Sequence, residues 1–284
     1  MDQELVLPAD FGRPSPVMVE LLFESPPFLD DPGAIAARAA ERTGSRTEVI
    51  GEDDGSTRGI AFPDITVPFA EGAVPLAIWL MPHGDRTIDT DDWIETSLRQ
   101  TWAWDGAEAA VRRTGEVLLI TDLIASPLDH RIRLPAYQAV LGAAVEILGP
   151  DALWFVRGER FVDPAAYLRD LDADPNALES TVNIRYVTIT DRPGEQLMDS
   201  VGMVSFGLPD IQINFKTLDP TWVAGKILGT ARYLFDNGDI IEDGNTVPGL
   251  RDGERWPCAH ELALMGPQRE VLDIDPSPYG PARE

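Results

Sequence analysis

The residues Cys258-Ala259-His260, with Glu261 next to them, form the one short-range pairing of a thiol and an imidazole in this chain. Structural zinc takes four ligands, usually as two closely spaced pairs. Here His83 and His130 lie far away in sequence, so a zinc site requires all of these residues to converge. As a nucleophile and base, Cys258 and His260 would share one face of a strand, because side chains alternate with a period of two. Such catalytic pairs usually come from distant positions, and a small buried thiol at the start of a strand is the simpler reading of Cys258.

Carboxylates offer more candidates. Asp236, Asp239, Glu242 and Asp243 crowd around Gly238 and Gly244. A calcium loop of the EF-hand type needs oxygen ligands at its first, third and fifth positions and glycine at the sixth. Counting from Asp236, the third position is Gly238 and the sixth is Ile241, so the pattern fails. A looser magnesium or calcium site at Asp239, Glu242 and Asp243 stays open beside a plain solvated turn. Asp199, in Met198-Asp199-Ser200-Val201-Gly202, and Asp210, in Gly207-Leu208-Pro209-Asp210, read as Gly-flanked turn residues beside apolar neighbours. Burial there would raise a carboxyl pKa and suit acid–base work; hydrogen bonds from the turn's own N–H groups are the structural alternative. The catalytic candidates are therefore Asp199, Asp210 and His260, with no role assigned.

One basic cluster stands out in an acidic chain. His130, Arg131 and Arg133 fall between a predicted strand and a helix start, where an anion can bind. Pairing with Asp122 or Asp129 is the competing use. The chain has no G-x-S-x-G elbow, P-loop or G-x-G-x-x-G run, so no cofactor is expected.

The balance of charge bounds the partners. With 48 acidic and 23 basic residues the formal net charge is −25, which repels phosphate backbones and anionic lipid. Neither nucleic acid nor membrane is expected as a partner; a basic protein is. The single cysteine forms no internal disulfide, the start Met1-Asp2-Gln3-Glu4 lacks a basic leader, and no apolar run approaches membrane-spanning length. These features together predict a cytoplasmic protein.

The positioning elements follow from periodicity and caps. Strands are predicted at Val17–Glu24, Ile60–Phe69, Val74–Met81, Val117–Ile124, Leu153–Val156, Val182–Thr190, Met203–Phe206 and Ile211–Phe215. Glu261–Met265 and Glu270–Ile274 read as a hairpin around Gly266-Pro267. Pro63 and Pro68 mark the second strand as an edge or irregular one. Glu52 to Gly59 reads as a loop or hairpin tip. Three Asp-Pro pairs, Asp31-Pro32, Asp163-Pro164 and Asp219-Pro220, each read as N-cap and first helical residue. Thr90 and Asp105 read as two further caps, and a long helix is expected over Pro135–Leu148, stopped by Gly149-Pro150.

Strands and helices mix without regular βαβ alternation. The predicted fold class is α+β, with mostly antiparallel sheet and helices packed on one face. A loose recurrence of strand–helix–strand–strand allows two related α+β halves, although no repeat establishes them. The acidic segment 170–180 is the candidate boundary, giving halves of 1–175 and 176–284 that can also form one continuous domain.

Several of these motifs, namely Thr101-Trp102, Thr121-Asp122-Leu123 with Arg133-Leu134, Met198-Asp199 with Gly202, Gly207-Leu208-Pro209-Asp210, Tyr233-Leu234-Phe235, Gly238 to Val247, and Trp256, Cys258, Glu261 and Arg269 to Asp273, resemble a bacterial family known only as domain of unknown function 4261. That resemblance implies no reaction. The leading expectation is a non-enzymatic protein-interaction role, immunity-like or inhibitory, toward a basic partner. The alternative is a hydrolase-like or metal-assisted enzyme using Asp199, Asp210, Asp239, Glu242 and His260.

Overall fold

A computed structural model describes residues 14–281 except 28, 30, 52–56, 86–91 and 191. The predicted cap at Thr90 and most of the predicted 52–59 tip lie outside the described residues. The chain divides into two compact units, one of residues 16–181 and one formed by 182–284 with the N-terminal segment.

The first unit is built on a seven-stranded sheet whose neighbouring strands all run antiparallel. In chain order its elements are β1 Met18–Phe23, α1 Pro32–Thr43, β2 Glu48–Ile50, β3 Arg58–Phe69, β4 Gly72–Asp85, α2 Asp92–Gln100, α3 Ala107–Arg113, β5 Glu116–Thr121, α4 His130–Leu148, β6 Ala152–Phe155, β7 Arg160–Val162 and α5 Pro164–Ala173. The spatial order is β2-β3-β4-β5-β1-β6-β7, so the apolar strands β5 and β1 sit inside the sheet, paired on both edges. Alternation along β1 sends Val19, Leu21 and Phe23 into a core with α1 and α4. Leu22 points the other way and joins Ile94, Val111 and Val117 under α2 and α3.

Caps act where the sequence predicts them at Asp31 and Asp163, each accepting backbone N–H groups of its helix's first turn. Two predicted boundaries shift. The cap of α3 is Gly106 rather than Asp105. Helix α4 begins at His130, capped by Asp129, with Pro135 inside it rather than at its start. Pro63 and Pro68 lie beyond the stretch of β3 that pairs with β2, and the β3–β4 register shifts between Phe62 and Thr66. Helix α4 is buried on nearly all sides, and Gly142 lets α5 approach: a Cβ there would meet Leu171 Cδ2 at 2.4 Å.

The second unit carries β8 Asn183–Thr188, β9 Gln196–Val201, a 3-10 turn at Met203–Phe206, β10 Asp210–Phe215, α6 Pro220–Asn237, β11 Thr246–Pro248, β12 Arg255–Leu262 and β13 Glu270–Ile274. Its six-stranded sheet runs β11-β12-β13-β10-β9-β8, antiparallel except for the parallel β10–β13 pair. Helix α6, capped by Asp219, packs along β8, β9 and β10. Its Val223, Ile227, Ala231 and Leu234 are fully buried, each large side chain contributing roughly 1.5–3 kcal/mol. The predicted strand at 203–206 is instead the 3-10 turn, because Gly202 and Gly207 both take positive φ and bend the chain there. Met198 to Val201, read from sequence as part of a loop, is strand β9. Together the units form an α+β fold with two mostly antiparallel sheets.

Candidate functional site

Asp199 and Asp210 lie in paired strands, β9 and β10, not in open turns. Asp199 stands opposite Arg185 of β8 and accepts two bonds from it, at 3.0 and 2.6 Å. Arg269 donates to Asp199 at 2.6 Å and to Asp210 at 3.0 Å. Asp210 also accepts from the Ser200 hydroxyl at 2.8 Å and the Met203 N–H at 3.2 Å. All four charged residues are at most 7% exposed. Burial pushes the Asp210 carboxyl up, against the pull of Arg269 and its hydrogen-bond donors. The same arginines hold the 263–269 connection down, through the carbonyls of Met265, Gly266 and Pro267. Next in the row, Gln212 donates to Asp273 at 2.9 Å and accepts the Leu264 N–H at 2.8 Å. Every oxygen of Asp199 and Asp210 is engaged and both residues are 1% exposed, so the cluster ties β8, β9, β10 and the 263–269 connection together.

The basic cluster is also paired. Arg133 is 1% exposed and forms a two-point ion pair with Asp122, which is fully buried and accepts the Val17 N–H at 2.9 Å as well. Arg131 binds Asp129, at 3.0 Å through Nε and 2.6 Å through Nη2, and this holds the Asp129 carboxyl down at about 2. His130 opens the helix beside them. The arginines take the competing use, pairing with the acids that the sequence places nearby.

Cys258 and His260 lie two residues apart on β12 but differ in burial. Cys258 is buried, and burial pushes its thiol up to about 11, far from a thiolate at neutral pH. His260 reaches a surface depression of about 550 Å³ lined by Asp239, Ile241, Glu242, Asp243, His260 and Glu270. Its Nδ1 lies 2.8 Å from Asp243 and its Nε2 3.3 Å from Asp239. Asp243 additionally accepts the His260 backbone N–H at 2.8 Å. Burial works to lower the imidazole pKa, but the hydrogen bond the ring donates to Asp243, and the charge of Asp239 and the bond it accepts, outweigh it, so the net shift is upward. In return His260 draws the Asp243 carboxyl down.

The structure thus brings Asp239, Glu242, Asp243 and His260 together and separates them from Asp199 and Asp210. Among the described residues no group of three or more His, Cys, Asp or Glu is arranged to hold a metal ion. The site residues missed from sequence are Arg185, Arg269 and Glu270. For the arginines a signal existed: two apolar-flanked aspartates destined for strands need buried cations, and Arg269 immediately precedes the predicted strand Glu270–Ile274. Nothing local pointed to Glu270, which joins the depression only because β13 pairs with β12.

No helix among the described residues is long and apolar enough to cross a membrane. No curated protein and no solved structure matches the chain. Residues 199–275 match the family model described as Domain of unknown function (DUF4261), so this segment, which holds Asp199, Asp210, Arg269 and the whole acidic depression, belongs to that domain family.

Proposed function

We propose that this protein is a non-enzymatic interaction protein, immunity-like or inhibitory, that binds a basic partner in the cytoplasm. The observation that carries the reading is the depression around His260: four carboxylates, Asp239, Glu242, Asp243 and Glu270, converge on one accessible concavity. A net charge of −25 supplies the long-range attraction, and such fields raise encounter rates with basic proteins. The lone buried Cys258 suits a reducing compartment. Fluorescence anisotropy with labelled hexa-arginine tests the reading. Wild-type protein should bind at low salt, Asp239→Lys should lose at least tenfold in affinity, and Glu71→Lys, the same charge change on an exposed turn of the other unit, should lose little. Equal losses from both variants would reduce the depression to generic surface charge.

One observation favours a second reading. Asp239, Glu242 and His260 line the same depression, which is the convergence a hydrolase-like or metal-assisted enzyme needs. Against it, both imidazole nitrogens already face carboxylates, and the lining carries no hydroxyl or thiol. That reading requires hydrolysis of some ester or phosphoester panel member that His260→Gln abolishes.

A further inference from the structure

The acidic depression does not end at Asp239. Ile241 also lines a second, largely apolar groove of about 520 Å³. One wall of that groove is α6, through Gly225, Gly229 and Tyr233; the other is the segment from Ile240 to Pro248, which includes edge strand β11. Tyr233 and Ile240 are 48% and 51% exposed at the end nearest the carboxylates. Lys226 stands at the opposite end, donating to the Pro248 carbonyl at 2.6 Å. The groove therefore has a polarity, with a cation at one end and carboxylates at the other.

The helix wall has an uncommon property. A Cβ added at Gly225 or Gly229 would meet nothing within 4 Å. Neither glycine takes a positive φ, and glycine costs a helix interior up to about 1 kcal/mol relative to alanine. Local backbone geometry does not demand these glycines; what they provide is room for a neighbour. From Gly225 to Tyr233 the helix rises about 12 Å at ~1.5 Å per residue, the length of about four extended residues at ~3.3 Å each. β11 forms the facing edge, so the backbone of an extended segment can lie along it by strand addition.

We propose that this groove takes an extended segment of the basic partner, with apolar side chains seated between α6 and β11 and a Lys or Arg delivered to Asp239, Glu242 and Asp243. This rests on the reading of the depression as a basic-partner site and adds a sequence preference to it. Charge complementarity selects the occupant: a cation is attracted at the Asp239 end and opposed by Lys226 at the other.

An array of immobilised hexapeptides, each position run through all residues, tests this with the full chain. Wild-type protein should prefer apolar residues at two or more positions next to a Lys or Arg. Gly229→Leu puts a side chain into the groove from a position where a Cβ meets nothing within 4 Å. It should flatten the apolar preference and weaken the best peptides at least tenfold, while hexa-arginine binding stays within twofold. Asp239→Lys should erase the basic preference. If Gly229→Leu leaves the array profile of wild-type protein unchanged, the groove proposal is overturned while the depression stands. If neither the array nor hexa-arginine gives any binding, the basic-partner reading itself is wrong and takes the groove with it. Thermal melting of Gly229→Leu and Gly229→Ala controls for folding, since both should melt at or above the wild-type temperature.

Discussion

Asp199 of β9 lies directly across from Arg185 of β8, and the two close a bidentate ion pair inside the sheet. Removing one partner of such a pair strands a buried charge, which costs about 3–5 kcal/mol. Arg185→Ala and Arg269→Ala should each destabilise by about that much in urea unfolding. Because they share Asp199, their effects should not add. Additive losses would mean the two arginines act independently.

Arg133 makes the same kind of contact with Asp122 in the first unit. Arg133→Ala should lose about 3–5 kcal/mol of stability, equally with and without phosphate. Phosphate protection that this variant abolishes would instead favour an anion site at His130, Arg131 and Arg133.

The imidazole of His260 has a measurable electrostatic signature. Its pKa is raised in the folded protein by Asp243 and Asp239, facing it from the segment after α6, with Glu270 adding from β13 and Glu242 lining the same depression. A raised pKa means protonation stabilises the fold; that contribution is complete below the ordinary histidine value and is lost as pH rises through the folded value. Asp243 is depressed, so its contribution is present above the ordinary aspartate value and is lost as pH falls through the folded one. Proton NMR titration should place His260 above the usual histidine range, and Asp243→Asn should bring it down. A His260 that titrates at or below the ordinary value contradicts the contact.

Two helical glycines should respond oppositely to alanine. Gly142→Ala drives a Cβ against Leu171 and should destabilise by about 1–3 kcal/mol. Gly225→Ala meets open space and should gain up to about 1 kcal/mol. Chemical denaturation reads both.

Much of the fold was legible because the signals were local. Asp-Pro pairs at 31, 163 and 219 fix three helix starts through sterics and capping alone, and the apolar run of β5 fixes the centre of a sheet. Strand β9 was hidden because Asp199 and Ser200 beside Gly202 have turn chemistry, and only Arg185 from β8 and Arg269 from the connection before β13 make them fit a buried strand. Residues 130–134 join α4 ahead of Pro135, where the sequence reading starts the helix, and Asp129 caps that earlier start. The site divides the same way. The carboxylates of 239–243 are visible as a cluster in sequence, whereas their meeting with His260 and Glu270 depends on strand register.

The most direct measurement follows the His260 ring signals while hexa-arginine is added. Guanidinium groups at Asp239 and Asp243 compete with the imidazole for the same oxygens, so binding should shift the ring resonances and lower the His260 pKa. By linkage, affinity should weaken as pH falls through that pKa. Hexa-arginine that binds while the His260 resonances and pKa stay unmoved would place the partner elsewhere and contradict the acidic depression as the binding site.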